Sequence, residues 1–319
     1  MGHEVIVASP ADFPLSRHAG EHVQIRTFKK FDLRAVGACA KVIRSRKVEI
    51  VHAHYSPDFW VAGLSARLGK AKVVLATRHI AEPWKRPKAQ IYMRLFKHVI
   101  PVSDAVRDVL IHDGVPASRL TVALAGCPAL RPTRDRAEIR ASYGMQGKVF
   151  GYFGRLDKEK GVDVAIQGAA RAGAKLAIFG KGAYETTLRQ IADDYQGCTS
   201  FYGSVEEVDN AMHAVDAVVI PSIWAEAFPF AGLEAMSLGK PILASRTGGL
   251  TQMMQDGVSG MFFEPGNPDA LAGLMLDVLG DCESACRVGE AALRTHRERF
   301  TVSAMAERIE AVYSKLLQN

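Results

Sequence analysis

Three features of the sequence predict an α/β protein built as two doubly wound parallel-sheet units. Short apolar runs alternate with amphipathic segments along the chain, the pattern of parallel strands joined by helical crossovers. The 319 residues, 48% hydrophobic and 23% charged, exceed what one ordinary core holds and suit two. Charge also divides: residues 1–140 carry 24 Lys+Arg against 12 Asp+Glu, a net of +12, and the remainder carries 16 against 22, a net of −6. Halves so different in charge meet different partners, with an anionic surface or substrate expected on the first alone.

Taken in order, residues 5–8, 23–28, 50–53, 73–76, 99–102 and 120–124 read as strands, being short and rich in β-branched and other apolar residues. Between them residues 33–47, 58–68, 89–97 and 104–112 carry apolar residues at helical spacing, with Asp58 and Ser103 placed as N-caps. Residues 125–147, with Pro128, Pro132 and a cluster of Arg, form the candidate linker. A second series of strands follows at 149–153, 175–179, 199–202, 217–221, 242–244 and 260–263. The chain ends in an amphipathic helix over 302–317, with Met305, Ile309, Val312 and Leu316 on one stripe.

The stretch 218–249 concentrates the features of a ligand site. A buried strand ends at Pro221, Glu226 follows in the loop, and Pro229 is suited to the first helical position, where its missing N–H costs nothing. Gly239 and Pro241 close that helix, which places Glu234 near its start. After a second apolar run, Gly248 and Gly249 offer a turn whose backbone amides could approach an anion ahead of another helix. Upstream, Arg155 and Lys160 lie in the loop after the strand 149–153, where open α/β sheets place their ligand crevice. Two cations, a Gly-Gly turn and helix N-termini converging there amount to a pyrophosphate clamp; the competing reading is solvated loop charge.

Composition excludes several classes. No apolar run is long enough to cross a bilayer, and the first residues do not read as a signal peptide. Five cysteines without repeated spacing fit a reducing cytoplasm, and Cys282 and Cys286, though able to share a helix face, are too few for a metal site. There is no D-x-D pair, and no cofactor or metal is expected. Nucleic acid is not an expected partner, since no recognised module accompanies the basic charge.

FGRLDKEKG at 153–161, EAFPFAGLEAM at 226–236, GKP at 239–241 and DGVSGMFFEPGNPDALA at 256–272 resemble the donor-binding half of the retaining family 4 glycosyltransferases. VEIVHAHY at 48–55, ATRHI at 76–80, VIPVSDAVRDVL at 99–110 and GVPASRLTVALAG at 114–126 are similar to that family's acceptor half, so the resemblance covers nearly the whole chain. It implies two Rossmann-like doubly wound parallel-sheet domains facing a cleft, the GT-B arrangement. The expected division is 1–140 for the acceptor side, 141–301 for the donor side, and a C-terminal helix, 302–319, crossing back to the first domain.

The resemblance also implies roles. Arg155 and Lys160 would hold the diphosphate of a nucleotide sugar, and Glu234 would accept from the ribose hydroxyls. Glu226 would bind the donor sugar, and His79, at the end of a cleft-facing strand, would contact the sugar or steady charge at its anomeric carbon. Gly154, Gly180, Phe228, Pro229, Phe230, Gly248 and Gly249 complete the implied donor site. His52 and His54 read as structural. The implied reaction retains anomeric configuration by front-face displacement, the departing phosphate oxygen taking the acceptor proton. UDP is the first expectation for the nucleotide, and the acceptor is a saccharide or a lipid-linked one of cell-envelope polysaccharide or lipopolysaccharide synthesis. The protein is expected in the cytoplasm, peripheral at the inner face of the membrane, docked through Trp84, Lys85, Arg86, Lys88, Arg94 and Lys97.

Departures from the family pattern are Pro229 for a common Gly, Gln252 for a Glu, and Ala125 for an Asn, which bear on donor identity. The start of the chain looks like the family's second strand, so the family's first strand and the Gly-rich loop after it are expected to be missing from the acceptor-side domain. The expectation is that the strand near Val5 must pair with the strand near Ile50 or Val73 or leave unpaired groups, that a loop such as 9–17 could take the lost one's place, and that the chain binds donor but transfers poorly. Two other readings keep the clamp: a nucleotide-sugar-binding subunit acting through a partner chain, and an epimerase of the same fold, for which no acid/base carboxylate pair is evident.

Overall fold

The computed structural model describes residues 2–10, 21–25, 32–195 and 197–318. Contacts divide the chain into one unit of Met1–Leu124 with Ala306–Asn319 and a second of Ala125–Met305. The division falls after Leu124 and not at 140 because the intervening segment is fastened to the second unit. Arg136 and Arg140 of α5 (Arg136–Ser142) both pair with Asp216, at 2.7 and 3.1 Å.

In the first unit β1 (Ile6–Ser9) pairs in parallel with β2 (Glu21–Gln24), and β3 (Ile50–Ala53), β4 (Val73–Arg78) and β5 (His98–Pro101) form a separate parallel sheet in that order. Among the described residues β1 pairs with neither β3 nor β4, so of the two outcomes expected for this region the ladder is left open. The expected strand 23–28 is β2 starting two residues earlier, and its residues beyond Ile25 lie outside the described residues, as does most of the 9–17 loop. The expected strand 120–124 is not a full strand: Leu120 bridges Val99, and the Thr121 and Ala123 amides donate to Val99 and Pro101 on the edge of β5.

Helix α1 (Leu33–Ser45) is capped by Asp32, whose carboxylate accepts from the Arg34 and Ala35 amides. Helix α2 (Phe59–Gly69) follows a 3₁₀ turn at Ser56–Asp58, so Asp58 stands at the N-cap but in helical geometry, and its side chain makes no cap bond. Its Oδ1 is buried without a partner, and burial pushes the carboxyl up to about 7. Helix α3 (Arg86–Leu95) starts three residues before the expected 89, with Pro87 in its first turn. Helix α4 (Asp104–His112) has the expected bounds and cap, Ser103 Oγ accepting from the Val106 amide.

Helix α13 (Val302–Gln318) joins the first unit from Ala306 onward, packing Val312 and Leu316 against Val73, Leu75 and Ile100. The other side of the sheet is filled by Phe59, Trp84, Tyr92 and Phe96, whose rings meet edge to face at 4.9 to 6.4 Å. Trp84 is therefore not part of a surface patch. It is 1% exposed, its amide donates to Asp113, and the Arg78 guanidinium lies 5.6 Å from its ring. Lys85, Arg86, Lys88, Arg94 and Lys97 are exposed.

The second unit is a six-stranded parallel sheet, in the order β11-β10-β9-β6-β7-β8. Its strands are β6 (Val149–Phe153), β7 (Lys175–Phe179), β8 (Thr199–Gly203), β9 (Ala217–Ile220), β10 (Ile242–Ser245) and β11 (Met261–Phe263). β6, β9 and β10 are buried throughout, which is why they read as continuous apolar runs without alternation. Helices α6 (Val162–Arg171) and α11 (Pro268–Gly280) cover one face with Val162, Ile166, Leu271 and Met275, and α7 (Glu185–Asp194), α8 (Val208–Ala214) and α12 (Cys282–Arg299) also lie in this unit. A Cβ on Gly168 would stand 3.0 Å from Leu271, so the two helices meet where one has no side chain. The chain runs outward from β6 to β8 and returns to the other side of β6 at β9. That reversal opens a crevice beyond the carboxyl ends of β6 and β9.

Candidate functional site

The crevice is built by two loops brought to backbone contact through glycine. After β6, Gly154 (φ 157°) turns the chain, and the Tyr152 hydroxyl donates to the Arg155 carbonyl at 2.6 Å. A Cβ on Gly180 (φ 153°), the residue after β7, would lie 1.8 Å from the Gly154 carbonyl oxygen, so only glycine fits. The loop continues through a 3₁₀ turn at Lys158–Lys160 to Gly161 (φ 64°), the N-cap of α6, whose absent Cβ admits the Pro221 carbonyl at the end of β9.

This approach seats Lys160 on Glu226. Lys160 Nζ lies 2.7 Å from Glu226 Oε1 and 5.5 Å from the centre of the Trp224 ring. Glu226 is 5% exposed, and the Ser222 hydroxyl donates to the same Oε1 at 2.5 Å. Both charges are largely withdrawn from water and each is the other's partner. Arg155 is placed differently: its guanidinium is mostly exposed and pairs with Asp157 at 2.9 Å and Glu159 at 3.7 Å.

The Gly-Gly turn has a packing task beside the expected one. A Cβ on Gly248 would meet the Glu226 carbonyl oxygen at 2.2 Å, and one on Gly249 the Ala227 oxygen at 1.9 Å. The Gly249 amide already donates to the Glu226 carbonyl at 2.6 Å, so it is not an open anion ligand. The helix that follows, α10 (Leu250–Met253), is a single turn. These glycines close the turn onto the backbone of the Glu226 loop.

Pro229 precedes the next helix, α9 (Phe230–Ser237), as its N-cap and not as its first helical residue. Glu234 lies on α9 as expected; burial, then the Asp209 charge, raises its carboxyl above the usual range. Phe230 is exposed and Phe228 is buried, its ring 5.5 Å from Phe300, so Phe228 anchors the loop to the core. Ser222, Trp224 and Tyr152 were missed from sequence. The only available signal was their position flanking the Pro221 and Gly154 turns.

In the first unit the ring of His79, just beyond β4, is 5.8 Å from that of His54, which is 4.1 Å from His52. His52 is held between the Tyr313 hydroxyl at 2.6 Å and Thr77 Oγ1 at 2.7 Å. Burial brings His54 down to about 4, with His79 second in effect, and burial and then Arg78 lower His79, so all three are neutral near pH 7. Among the described residues no group of three or more His, Cys, Asp or Glu is placed to hold a metal ion, and no helix is long and apolar enough to cross a membrane.

Residues 135–295 match the family model for glycosyl transferases group 1, and residues 1–127 that for glycosyltransferase family 4. The chain is 27% identical to the amylovoran biosynthesis glycosyltransferase AmsK of Erwinia amylovora, over 77% of this chain and 65% of that one. It is 26% identical, over 85% of this chain and 78% of the other, to a GDP-mannose-dependent monoacylated phosphatidylinositol monomannoside mannosyltransferase of Corynebacterium glutamicum. The structure of Anabaena HepE in complex with UDP superposes with a TM-score of 0.86 at 21% identity, covering 97% of this chain and 92% of that one. With the group 1 model spanning half its length and its fold that of GT-B neighbours, the chain belongs to the family 4 glycosyltransferases.

Proposed function

We propose that the protein transfers a sugar from a nucleoside diphosphate donor, UDP-sugar first, to a saccharide or lipid-linked acceptor of envelope polysaccharide or lipopolysaccharide synthesis. The observation that carries this is the withdrawn Lys160–Glu226 pair at the reversal point of the sheet, with Arg155 at the same loop. Cleaving a glycosyl-phosphate bond leaves negative charge on the departing diphosphate. Fixed cations lower that barrier because they are in place before the charge forms. Lys160 supplies one, steered by Glu226, while Glu226 accepts from hydroxyls of the sugar. Arg155, on its exposed loop, supplies the second. No divalent metal is needed in this scheme, and Glu234 receives the ribose.

Retention by front-face displacement, with His79 beside the anomeric carbon, belongs to the same proposal and rests on the family resemblance. So does a peripheral position at the inner membrane face, carried by Lys85, Arg86, Lys88, Arg94 and Lys97 without Trp84. A second reading, a nucleotide-sugar-binding subunit completed by a partner chain, is favoured by the separation of β1-β2 from β3-β4-β5.

The test is incubation with UDP-, GDP- and ADP-sugars and mixed lipid and saccharide acceptors, followed by mass spectrometry in the presence of chelator. Sugar transfer with net retention supports the proposal. Nucleotide binding without transfer supports the subunit reading, and binding of none of the nucleotides overturns both.

A further inference from the structure

We propose that Ser222 is a positioning residue for Glu226, held in that role by Ser245, so that one carboxylate oxygen is saturated and the other is presented to the ligand. This rests on the reading of Glu226 as the sugar-binding carboxylate. Two donors converge on Oε1, the Ser222 hydroxyl at 2.5 Å and Lys160 Nζ at 2.7 Å. A hydroxyl donating to a carboxylate at this distance is a short, charge-assisted bond. Oε2 has no hydrogen-bond partner among the described residues and is the atom left to accept from a sugar hydroxyl.

Lys160 alone could not fix this orientation. An ammonium is a compact charge on a flexible stem and follows a rotating carboxylate, whereas a serine hydroxyl, one rotatable bond from a buried backbone, does not. Ser222 is 1% exposed and follows Pro221 directly beyond β9. Its carbonyl is gripped by the Ser245 hydroxyl at 2.6 Å, which also reaches the Ile220 carbonyl at 3.2 Å. Ser245 is the fully buried last residue of β10, just beyond the Ala244–Ile220 register pair. The sheet thus fixes the Ser222 backbone, Ser222 fixes the Glu226 carboxylate, and the Gly248-Gly249 turn holds the Glu226 carbonyl from the other side. Serine suits the post because its hydroxyl is neutral: a second cation there would compete with Lys160 for the same oxygen.

The ligand-free test is a urea double-mutant cycle on the full chain with Ser222→Ala and Glu226→Gln. The expected result is a coupling of about five- to tenfold in the unfolding equilibrium constant, as for residues sharing one hydrogen-bond network. The second test uses whichever of the pairs UDP/UDP-glucose and GDP/GDP-mannose the wild type binds. Ser222→Ala should lower the affinity for the sugar nucleotide about tenfold, the worth of one hydrogen bond to a charged group, and leave that for the free diphosphate within about twofold. Ser222→Thr, which keeps the hydroxyl, should restore most of the loss, and Ser245→Ala should produce a smaller loss in the same direction.

Absent coupling, or equal weakening of diphosphate and sugar nucleotide in folded Ser222→Ala, overturns the assignment. Coupling in a protein that binds none of these four nucleotides, nor an ADP-sugar, upholds the positioning of Glu226 and removes the sugar-transfer reading instead.

Discussion

Lys160 and Glu226 are partners that cannot be parted cheaply. Removing Lys160 leaves a carboxylate in a site that is 5% exposed, so Lys160→Ala should lower the unfolding free energy by about 1.5–3 kcal/mol and abolish nucleotide binding together. Adding Glu226→Gln to Lys160→Ala should recover part of the stability and none of the binding. Calorimetric unfolding beside nucleotide titration checks both. Arg155 carries no such structural burden, being largely exposed, and Arg155→Ala should weaken diphosphate binding by about 1.5–3 kcal/mol with the melting temperature unchanged. The sequence singled out these three residues by their place in the loops after strand ends and by the family motifs they belong to. It could not find Ser222, since a hydroxyl next to proline looks the same whether it faces water or a buried carboxylate. It misplaced Trp84 because the basic residues around it in the chain are exposed while its own ring turns inward onto Phe59 and Tyr92.

At the scale of elements, α5 is fastened to the second unit by arginines that share one carboxylate and also donate to the His213 and Ala214 carbonyls. Burial works against ionisation of Asp216, but the Val149 amide and the Arg136 and Arg140 guanidinia outweigh it and hold the carboxyl below its ordinary 3.8. The stability this contributes is complete above that ordinary value and is lost as pH falls through the lower folded one. Asp216→Asn should cost about 1.5–3 kcal/mol at pH 7 and flatten the acid limb of the denaturation curve.

Strand β5 holds a histidine of opposite consequence. Burial, with Lys315 and Arg119 secondary, pushes His98 down to about 4 from 6.5, and the residue is 4% exposed. The unfolded chain therefore binds the extra proton first, so stability is full above 6.5 and falls by about 3 kcal/mol as pH drops from there to about 4. Urea midpoints followed across that window should flatten in His98→Asn. Helix α3 makes a separate forecast: Arg86→Glu, Lys88→Glu and Arg94→Glu together should abolish any preference for anionic over neutral vesicles at low salt while leaving nucleotide affinity unaltered.

For the whole molecule, alternation of apolar runs and helical segments was enough to predict two parallel-sheet units, because buried parallel strands such as β6, β9 and β10 advertise themselves as short apolar runs without alternation. The boundary was less legible. Residues 125–147 have the composition of a linker, yet their arginines reach back to Asp216, a contact invisible until the sheet is assembled. The Gly248-Gly249 turn was recognised as special, but its packing against the Glu226 loop was not foreseen, since glycine before a helix signals anion binding and tight backbone packing alike.

The open ladder of the first unit also bears on how the protein comes apart. Among its described residues β1 and β2 share ladder hydrogen bonds only with each other, whereas β6 is paired on both sides. A two-stranded ribbon is marginal by itself, so its cohesion depends on side-chain packing of Ile25, Ala35, Val36 and Val61 across α1 and α2. Amide protons of β1 and β2 should then exchange with solvent through a local opening well below the global unfolding free energy, while those of β6 and β9 exchange only when the whole second unit unfolds. Limited proteolysis under native conditions should release the amino-terminal ribbon ahead of any cleavage within the second unit.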